Sequence, residues 1–568
     1  MTDTCSRQTL TGSNRAVLWV RYLELADKTG DLDRSNRATA ALRGQLDSVP
    51  DHMFLRLLRL CKHLSDGAFA AEVLTACFAR SRMDGKLATE CLNWACTTLG
   101  HQQAQGVEHR VLSKMDPASR QEFALTALRL LHGPEAAYHA ARSGYPRTRH
   151  AQEAVLLAKT VSDTGRTTLA ARYLRQAARR WPLDMTLQDA VFRTFLNSGD
   201  VARARDLLTA LTPYLSDTQW RSRSLDLLKG EGRYKDAWPQ HQALERDDAR
   251  YATSFECLRM NVFFGEIAEF RRLAYEVMAK HRHHLRATFL GSVVDEKRIY
   301  AAQQPQGGEI TRQDVASYYH PAAEITRRLP QMNPDTVTGQ GTPVRQIHQY
   351  WDKAAVPEMV DQIMQSWQGI YGWSYQRFTR KTALTWLART YGRDHARAFR
   401  MVRREAEQAD FLRLCLLDAQ GGLYVDADDR LTGSPDALLS GAPGAVFFCE
   451  AFGCLSNNVI YAPPGHVVIQ TAREMACEAL LRRDNDKVWL KTGPGLLTRA
   501  LALCAMDGLL CGGHTDPTKS VTIRSNAALK QHVAPHIPLP YKQTDQNWAH
   551  SDTPVAPEVK AAWAQLLA

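Results

Sequence analysis

The residues with the clearest capacity for chemistry lie in the stretch 410–429. Apolar residues at helical spacing lead to a Gly421-Gly422 pair, and a short apolar strand then runs into Asp426 and Asp428. A strand that delivers two carboxylates to its carboxyl end is a common way to hold a hard divalent cation together with a phosphate group. The stretch therefore predicts a site for chemistry on a cation-bound phosphate ester.

Three further charged residues accompany this pair of acids. Asp410 and Arg413 are one helical turn apart and share a helix face, while Asp429 directly follows Asp428 and is interpreted as a turn or capping residue. A phosphatase of the haloacid-dehalogenase type also ends an apolar strand in Asp-x-Asp, but it requires Thr two residues after the second Asp. Arg430 stands there, and the Asp410/Arg413 pair would be left unexplained.

The elements that must position these residues alternate between strand and helix. Strands are predicted at 345–348, 373–378, 423–425, 445–449, 459–461 and 521–524, and helices at 357–366, 381–391, 396–419 (with a bend) and 466–482. This alternation indicates one α/β domain with a mixed sheet over residues 341–568.

The N-terminal half has a different period, marked by glycine. The glycines are Gly67, Gly100, Gly133, Gly165, Gly199, Gly232 and Gly265, at intervals of 33, 33, 32, 34, 33 and 33 residues. Glycine permits a tight turn between helices, and the residues between the glycines follow helical spacing. We predict an α-solenoid of helical repeats over residues 1–290 and a connecting segment over 291–340. Such an array either docks a partner or braces the neighbouring domain.

Composition narrows the class of protein further. The formal net charge is +11, but the basic residues are scattered, so we predict no nucleic-acid partner. The twelve cysteines form no Cys-x-x-Cys motif and are expected to be free thiols in a reducing compartment. We find no signal peptide and no run of eighteen apolar residues, so we expect no transmembrane segment and a cytoplasmic location, either free or peripheral at the inner face of the membrane.

An ordered set of motifs resembles a known family of enzymes. The motifs are Ile347-His348-Gln349-Tyr350-Trp351, Ser366-Trp367, Asp410 with Arg413, Gly421-Gly422-Leu423-Tyr424-Val425-Asp426-Ala427-Asp428, Asn457-Asn458, Ala462-Pro463-Pro464-Gly465-His466 and Thr492-Gly493-Pro494. Together they resemble glycosyltransferase family 32, the sugar-binding region with a DXD motif found in mannosyltransferase-like and capsular-polysaccharide enzymes. The N-terminal repeats resemble tetratricopeptide repeats, whose period is near 34 residues.

The resemblance implies a GT-A fold and a role for each matching residue. It implies that a nucleotide-sugar donor, linked to UDP or GDP, is bound by Trp351, Asp410, Arg413, Tyr424 and Asp426. It also implies that Mn²⁺ or Mg²⁺ is held by Asp426 and Asp428, with His550 as a candidate third ligand from the C-terminal region. The polar opening strand and Leu414, which stands in place of a common Tyr, depart from the family pattern.

The reaction implied is metal-dependent hexose transfer. The acceptor would be a glycan of a polysaccharide biosynthesis pathway, a lipid-linked sugar or a protein held by the repeats. The resemblance implies retention at the anomeric carbon, but no residue suggests itself as the catalytic nucleophile and none is assigned. The alternative is a non-catalytic helical-repeat adaptor with a degenerate transferase domain.

Overall fold

The computed structural model describes residues 12–29, 31–62, 64, 66–144, 150–267, 270, 290–304, 308–329, 343–402, 404–450, 453–511, 516–543 and 556–567. By its internal contacts the chain separates into two compact units. The described residues of the first, the helical unit, are 12–144, 538–543 and 556–567, and those of the second, the α/β unit, are 150–270 and 290–537.

The first half of the chain is helical, as predicted. Its helices are α1 (Gly12–Thr29), α2 (Leu32–Arg43), α3 (Asp51–Cys61), α4 (Gly67–Ala79), α5 (Gly85–Leu99), α6 (His101–Leu112), α7 (Pro117–His132), α8 (Pro134–Gly144), α9 (Ala151–Asp163), α10 (Thr167–Arg180), α11 (Met185–Asn197), α12 (Val201–Leu211), α13 (Asp217–Gly230), α14 (Tyr234–Asp247), α15 (Ala249–Ala252) and α16 (Phe255–Phe264). Many begin at an aspartate whose carboxylate accepts the amide three residues on, as at Asp66, Asp84 and Asp200.

Five of the periodic glycines occupy the turns between these helices. Gly100, Gly133, Gly165, Gly199 and Gly232 all have φ between 73° and 88°. This is the left-handed region, which glycine enters without a steric penalty. Gly67 and Gly265 differ, because the first begins α4 and the second follows α16 with φ −60°. The predicted period thus marks turns with a left-handed glycine in the middle of the array, whereas the glycines at its two ends are not left-handed.

The predicted connecting segment contains helix. Its described part forms α17 (Leu290–Gln303), α18 (Arg312–Ser317) and α19 (Tyr319–Arg328), and α19 packs on the helix Pro494–Met506 of the same unit. The division at 290 and 340 stays a prediction.

The α/β region follows the predicted alternation closely. Its elements are β1 (Gln346–Tyr350), α20 (Glu358–Met364), β2 (Ser374–Phe378), α21 (Arg380–Thr390), α22 (Arg393–Met401), α23 (Glu405–Gln420), β3 (Gly422–Val425), β4 (Arg430–Leu431), α24 (Pro435–Leu439), β5 (Ala445–Phe448), β6 (Val459–Ala462), α25 (Val467–Arg482), α26 (Val488–Lys491), α27 (Pro494–Met506), β7 (Val521–Arg524), α28 (Asn526–Lys530) and β8 (Val533–Ala534). The predicted bend between 396 and 419 is the break between α22 and α23.

Six strands form one mixed sheet in the order β2-β1-β3-β6-β5-β7. β1 pairs in parallel with both β2 and β3, β6 runs antiparallel to β3 and β5, and β7 is parallel to β5. β4 and β8 form a separate antiparallel pair. Because β1, β2 and β3 are parallel, their carboxyl ends meet at one edge of the sheet.

Both faces of the sheet are covered by apolar side chains. Along β3, Tyr424 belongs to the core on one face, with α23, α25 and α27, whereas Leu423 and Val425 belong to the core on the other face, with Trp367. The alternation of side chains along the strand explains this division. Near-continuous apolar strands are the pattern expected of a sheet buried on both faces.

The last helix, α29 (Pro557–Leu567), belongs to the helical unit and packs on α4 and α5. Its Trp563 is fully buried, with ring centroids 5.6 Å from Phe78 and 6.3 Å from Trp94. Among the described helices, none combines the length and the apolar character needed to cross a membrane.

Candidate active site

The acidic turn begins where β3 ends, at the carboxyl edge of the sheet. The amide of Asp426 donates to the carbonyl of Asn458 at 2.9 Å, and the amide of Asp429 donates back to the carbonyl of Asp426 at 3.2 Å. These bonds close a tight turn directly after the strand. The turn gathers the carboxylates of Asp426, Asp428 and Asp429 within four residues.

Arg413 joins two of the predicted donor residues. Its guanidinium lies 3.0 Å from Asp410 Oδ1 and 2.8 Å from Asp426 Oδ1, and it also donates to the carbonyl of Asn457. Its centre lies 4.6 Å from the centroid of the Tyr424 ring. The side chain is only 3% exposed, so this is a buried network and not a helix-surface ion pair.

Two neutral side chains complete the network around Asp410. Asn457 Nδ2 donates to Asp410 Oδ1 at 2.8 Å, and the Thr492 hydroxyl donates to Oδ2 at 3.2 Å. Burial raises the pKa of Asp410 to about 6, while Arg413 and these hydrogen bonds oppose the rise. Each oxygen of Asp410 is thereby fixed in orientation.

Opposing effects act on the pKa values of Asp426 and Arg413 in the centre of the site. Burial raises the pKa of Asp426; Arg413 opposes that rise, and the carboxylate of Asp428 adds to it. Burial also disfavours the charge on Arg413, but the carboxylate of Asp426, together with Tyr424 and Asp410, raises its pKa overall. A cation or another positive group brought to this turn would favour ionised Asp426.

Asp429, interpreted as a turn or capping residue, lies in the turn and is also a buried acceptor. Its side chain accepts from Asn458 Nδ2 and, at 2.8 Å, from the backbone amide of His536. The indole of Trp367 donates to its carbonyl at 2.7 Å. Asp429 therefore ties the acidic turn to the segment after β8.

A metal-ligand set can be assembled at this point. Oxygens of Asp428 and Asp429 and a ring nitrogen of His536 all lie within 4.8 Å of one another. Carboxylates with one imidazole suit Mn²⁺ and fit Mg²⁺ less well, since Mg²⁺ favours oxygen ligands. Asp426 does not belong to this set, and His550 lies outside the described residues.

His348, in the opening motif, has a structural position. Its ring is fully buried and forms a 2.9 Å hydrogen bond to the carbonyl of Gly421. Burial lowers the pKa of His348 to about 4, so the neutral ring donates through Nε2. This bond fixes the break that separates α23 from β3.

Trp351 directly follows β1 at the edge where the acidic turn lies. Its amide donates to the carbonyl of Phe378 at 2.9 Å, and the residue is half-buried. Tyr424, by contrast, is 1% exposed and contacts the site through Arg413. Trp351 thus lies at the carboxyl edge of the sheet, its stacking role stays a prediction, and Tyr424 supports the site from the core.

Sequence reasoning found some of the site and missed other parts. Asn457, Asn458 and Thr492 stood in the quoted motifs without a role, and the structure places all three on the acids. His536 was missed, because a single histidine in Ala534-Pro535-His536 carries no spacing signal. Its φ of 55°, unusual for a residue other than glycine, is visible only in the folded chain.

Comparison with known proteins bears on the same region. Residues 360–443 match the family model "Glycosyltransferase sugar-binding region containing DXD motif". A solved structure described as "PaToxG Glycosyltransferase" is 14% identical, and the match covers 42% of this chain and 94% of that chain with a TM-score of 0.24. No curated protein matches the chain. The matched region contains Asp410, Arg413 and the acidic turn, and on this family match the chain is a glycosyltransferase.

Proposed function

We propose that this chain transfers a hexose from a UDP- or GDP-linked donor to an acceptor with the help of a divalent cation. The observation that carries the proposal is the buried network in which Arg413 joins Asp410 to Asp426, beside the Asp428 carboxylate. Asp410 and Arg413 would contact the donor, and Trp351 would stack on its base. The position of these residues at one edge of the sheet supports this arrangement.

The residues present fit a cation. Asp428 is the principal proposed ligand, with Asp429 and His536 close enough to share one ion. A bound cation would supply counter-charge to the leaving diphosphate. The protein's own contribution is to hold the acids, since Arg413 fixes Asp426, and the amide of Ile537 fixes the carbonyl of Asp428 at 3.0 Å.

The alternative, a non-catalytic adaptor, is not favoured. Buried ionised residues are costly to retain unless they are paired and hydrogen-bonded. Here Asp410 and Arg413, both nearly inaccessible, are paired with each other, and Arg413 is also paired with Asp426. Asn457 and Thr492 donate hydrogen bonds to Asp410. This network supports a catalytic domain over a degenerate one.

The same proposal includes the family-32 assignment, the GT-A fold, the tetratricopeptide character of the repeats and retention at the anomeric carbon. It also includes the acceptor and a cytoplasmic location, either free or peripheral to the membrane. A protein partner on the repeats would need a face other than the turns at Gly165 and Gly199. Those turns lie against Ala534 and Ala527 of the same unit.

Donor cleavage by the purified full chain tests the proposal. UDP- and GDP-hexoses would be supplied with and without MnCl₂, and the release of nucleoside diphosphate would be measured. We expect one donor to be cleaved in a Mn²⁺-dependent way, and we expect Asp428→Asn to lose at least about 100-fold in rate, about 2.7 kcal/mol of transition-state stabilisation.

Asp217→Asn is the matched control, because its side chain is 84% exposed on α13 in the same unit. It should turn over donor like the wild type. Equal rates in wild type and Asp428→Asn would contradict the metal role, and absence of cleavage across the whole donor panel would contradict the transferase function.

A further inference from the structure

A cavity adjoins the candidate active site. It measures about 600 Å³. The charged residues in its wall are Arg380, Arg400, Glu407, Arg483, Asp484 and Lys491. Arg380 begins α21, directly after β2, and Glu407 lies in the first turn of α23. Because β2 and β3 are both parallel to β1, Arg380 lies at the edge that carries the acidic turn.

The cavity wall carries more positive than negative charge. Four of the six charged residues are cationic and two are anionic. Lys491 is already paired, with Nζ 2.8 Å from Glu407 Oε1 and 3.1 Å from the carbonyl of Asp484.

The three arginines of the cavity wall differ from Lys491 in their ion pairing. Arg380, Arg400 and Arg483 have no carboxylate within ion-pair distance among the residues that the structure describes. Arg483 is held at φ 59°, in the left-handed region, where it caps the end of α25. Guanidinium groups recognise phosphate and carboxylate through paired hydrogen bonds. The cavity therefore favours an anionic occupant.

The cavity adjoins the residues assigned to the donor. Glu407 precedes Asp410 by one turn of α23, and Lys491 precedes Thr492, whose hydroxyl donates to Asp410 Oδ2 at 3.2 Å. None of Asp410, Asp426 and Asp428 lines the cavity. A group bound there would sit next to the donor site without occupying the acidic turn.

We propose that this cavity is an acceptor subsite for an anionic group, a phosphate or a carboxylate carried by the acceptor sugar. The proposal rests on the proposed transferase function, since the word acceptor has meaning only for a transferase. Arg400 and Arg483 would bind the anion, and the Lys491–Glu407 pair would fix the wall between the anion and Asp410.

Binding of small anions to the full chain, measured by isothermal titration calorimetry without donor, tests the proposal. The probes are glucose 1-phosphate, glucuronate and, as the neutral reference, glucose. The double variant Arg400→Gln/Arg483→Gln is compared with Arg389→Gln/Arg397→Gln, which removes the same charge from exposed positions on α21 and α22 outside the cavity wall.

We expect at least one anionic sugar to bind in preference to glucose. Its affinity should fall about tenfold or more in the cavity variant, which is the loss expected when one or two charge-assisted hydrogen bonds are removed. In the control variant the affinity should fall by less than about twofold. Preference for glucose 1-phosphate identifies a phosphate-bearing acceptor, and preference for glucuronate a uronic acid.

Equal binding of glucose and the anions, or an equal loss in the two double variants, would overturn the subsite. Thermal unfolding of each variant confirms that it folds. Because no donor is present, this result is independent of the donor-cleavage assay, so failure of the subsite and failure of the transferase function are distinguishable.

Discussion

A single buried guanidinium holds the candidate site together. Arg413 is within 3.0 Å of the carboxylates of both Asp410 and Asp426. Breaking a buried ion pair by removing one partner commonly costs about 3–5 kcal/mol, because the other charge is left without compensation. We expect Arg413→Met to lower the free energy of unfolding by about that amount, measured by urea denaturation. Arg389→Met, on an exposed face of α21, is the control, and a change below about 1 kcal/mol in Arg413→Met would contradict the argument.

His348 gives the stability of the protein a predictable dependence on pH. Burial lowers the pKa of His348 to about 4, whereas an unfolded histidine titrates near 6.5. The unfolded chain therefore takes up a proton first, and the stability present above pH 6.5 is lost as pH falls toward 4. The loss is on the order of 2–3 kcal/mol.

The variant His348→Gln keeps an N–H for the Gly421 carbonyl and removes the titration. We expect its denaturation midpoint to vary less than that of the wild type between pH 6.5 and 4. His52→Gln, which changes an exposed histidine, serves as control and should keep the wild-type profile. A profile of His348→Gln that overlays the wild type would contradict the assignment.

At the scale of elements, the sequence predicts features that depend on local spacing and misses features that depend on long-range contacts. The helix, the Gly421-Gly422 break and the strand after it were predicted because their signals are local spacing and composition. The burial of Asp429 was not, because its partners Asn458 and His536 lie 29 and 107 residues away. Such contacts follow from the order of strands in the sheet, which the spacing of residues does not encode.

The Gly421-Gly422 break has a steric reason that can be tested. Gly422 has φ +102°, and a Cβ there would lie 2.4 Å from the carbonyl oxygen of Gln346 in β1. We expect Gly422→Ala to strain the pairing of β1 with β3 and to cost at least about 2–3 kcal/mol of unfolding free energy, measured by urea denaturation. Gly392→Ala is the control, since it has φ +82° with nothing within 4 Å. An equal loss in both variants would show that φ alone matters.

At the scale of the whole molecule, the second part of the helical array belongs to the same compact unit as the sheet. This part comprises helices α9 to α16. The hydroxyl of Tyr234 donates to the carbonyl of Glu450 at 2.6 Å, and Gln531 Nε2 donates to the carbonyl of Gly199 at 3.2 Å. The repeat turns were predictable from their period, but the residues that cover them were not. These contacts favour a bracing role for this part of the array.

A matched pair of glycines tests the brace. Gly199 (φ +73°) and Gly100 (φ +79°) hold equivalent places in the repeat, but a Cβ at Gly199 would lie 2.1 Å from the carbonyl oxygen of Ala527 in α28, whereas Gly100 has nothing within 4 Å. Both alanine variants carry the backbone cost of a positive φ, about 1–3 kcal/mol. Gly199→Ala alone should also displace α28, which is followed closely along the chain by β8 and His536. We therefore expect Gly199→Ala to lose more stability and more Mn²⁺-dependent donor cleavage than Gly100→Ala, measured by thermal unfolding and nucleoside diphosphate release. Equal effects of the two substitutions would mean that contacts at the Gly199 turn do not help to position the acidic turn. The array would then act as a spacer.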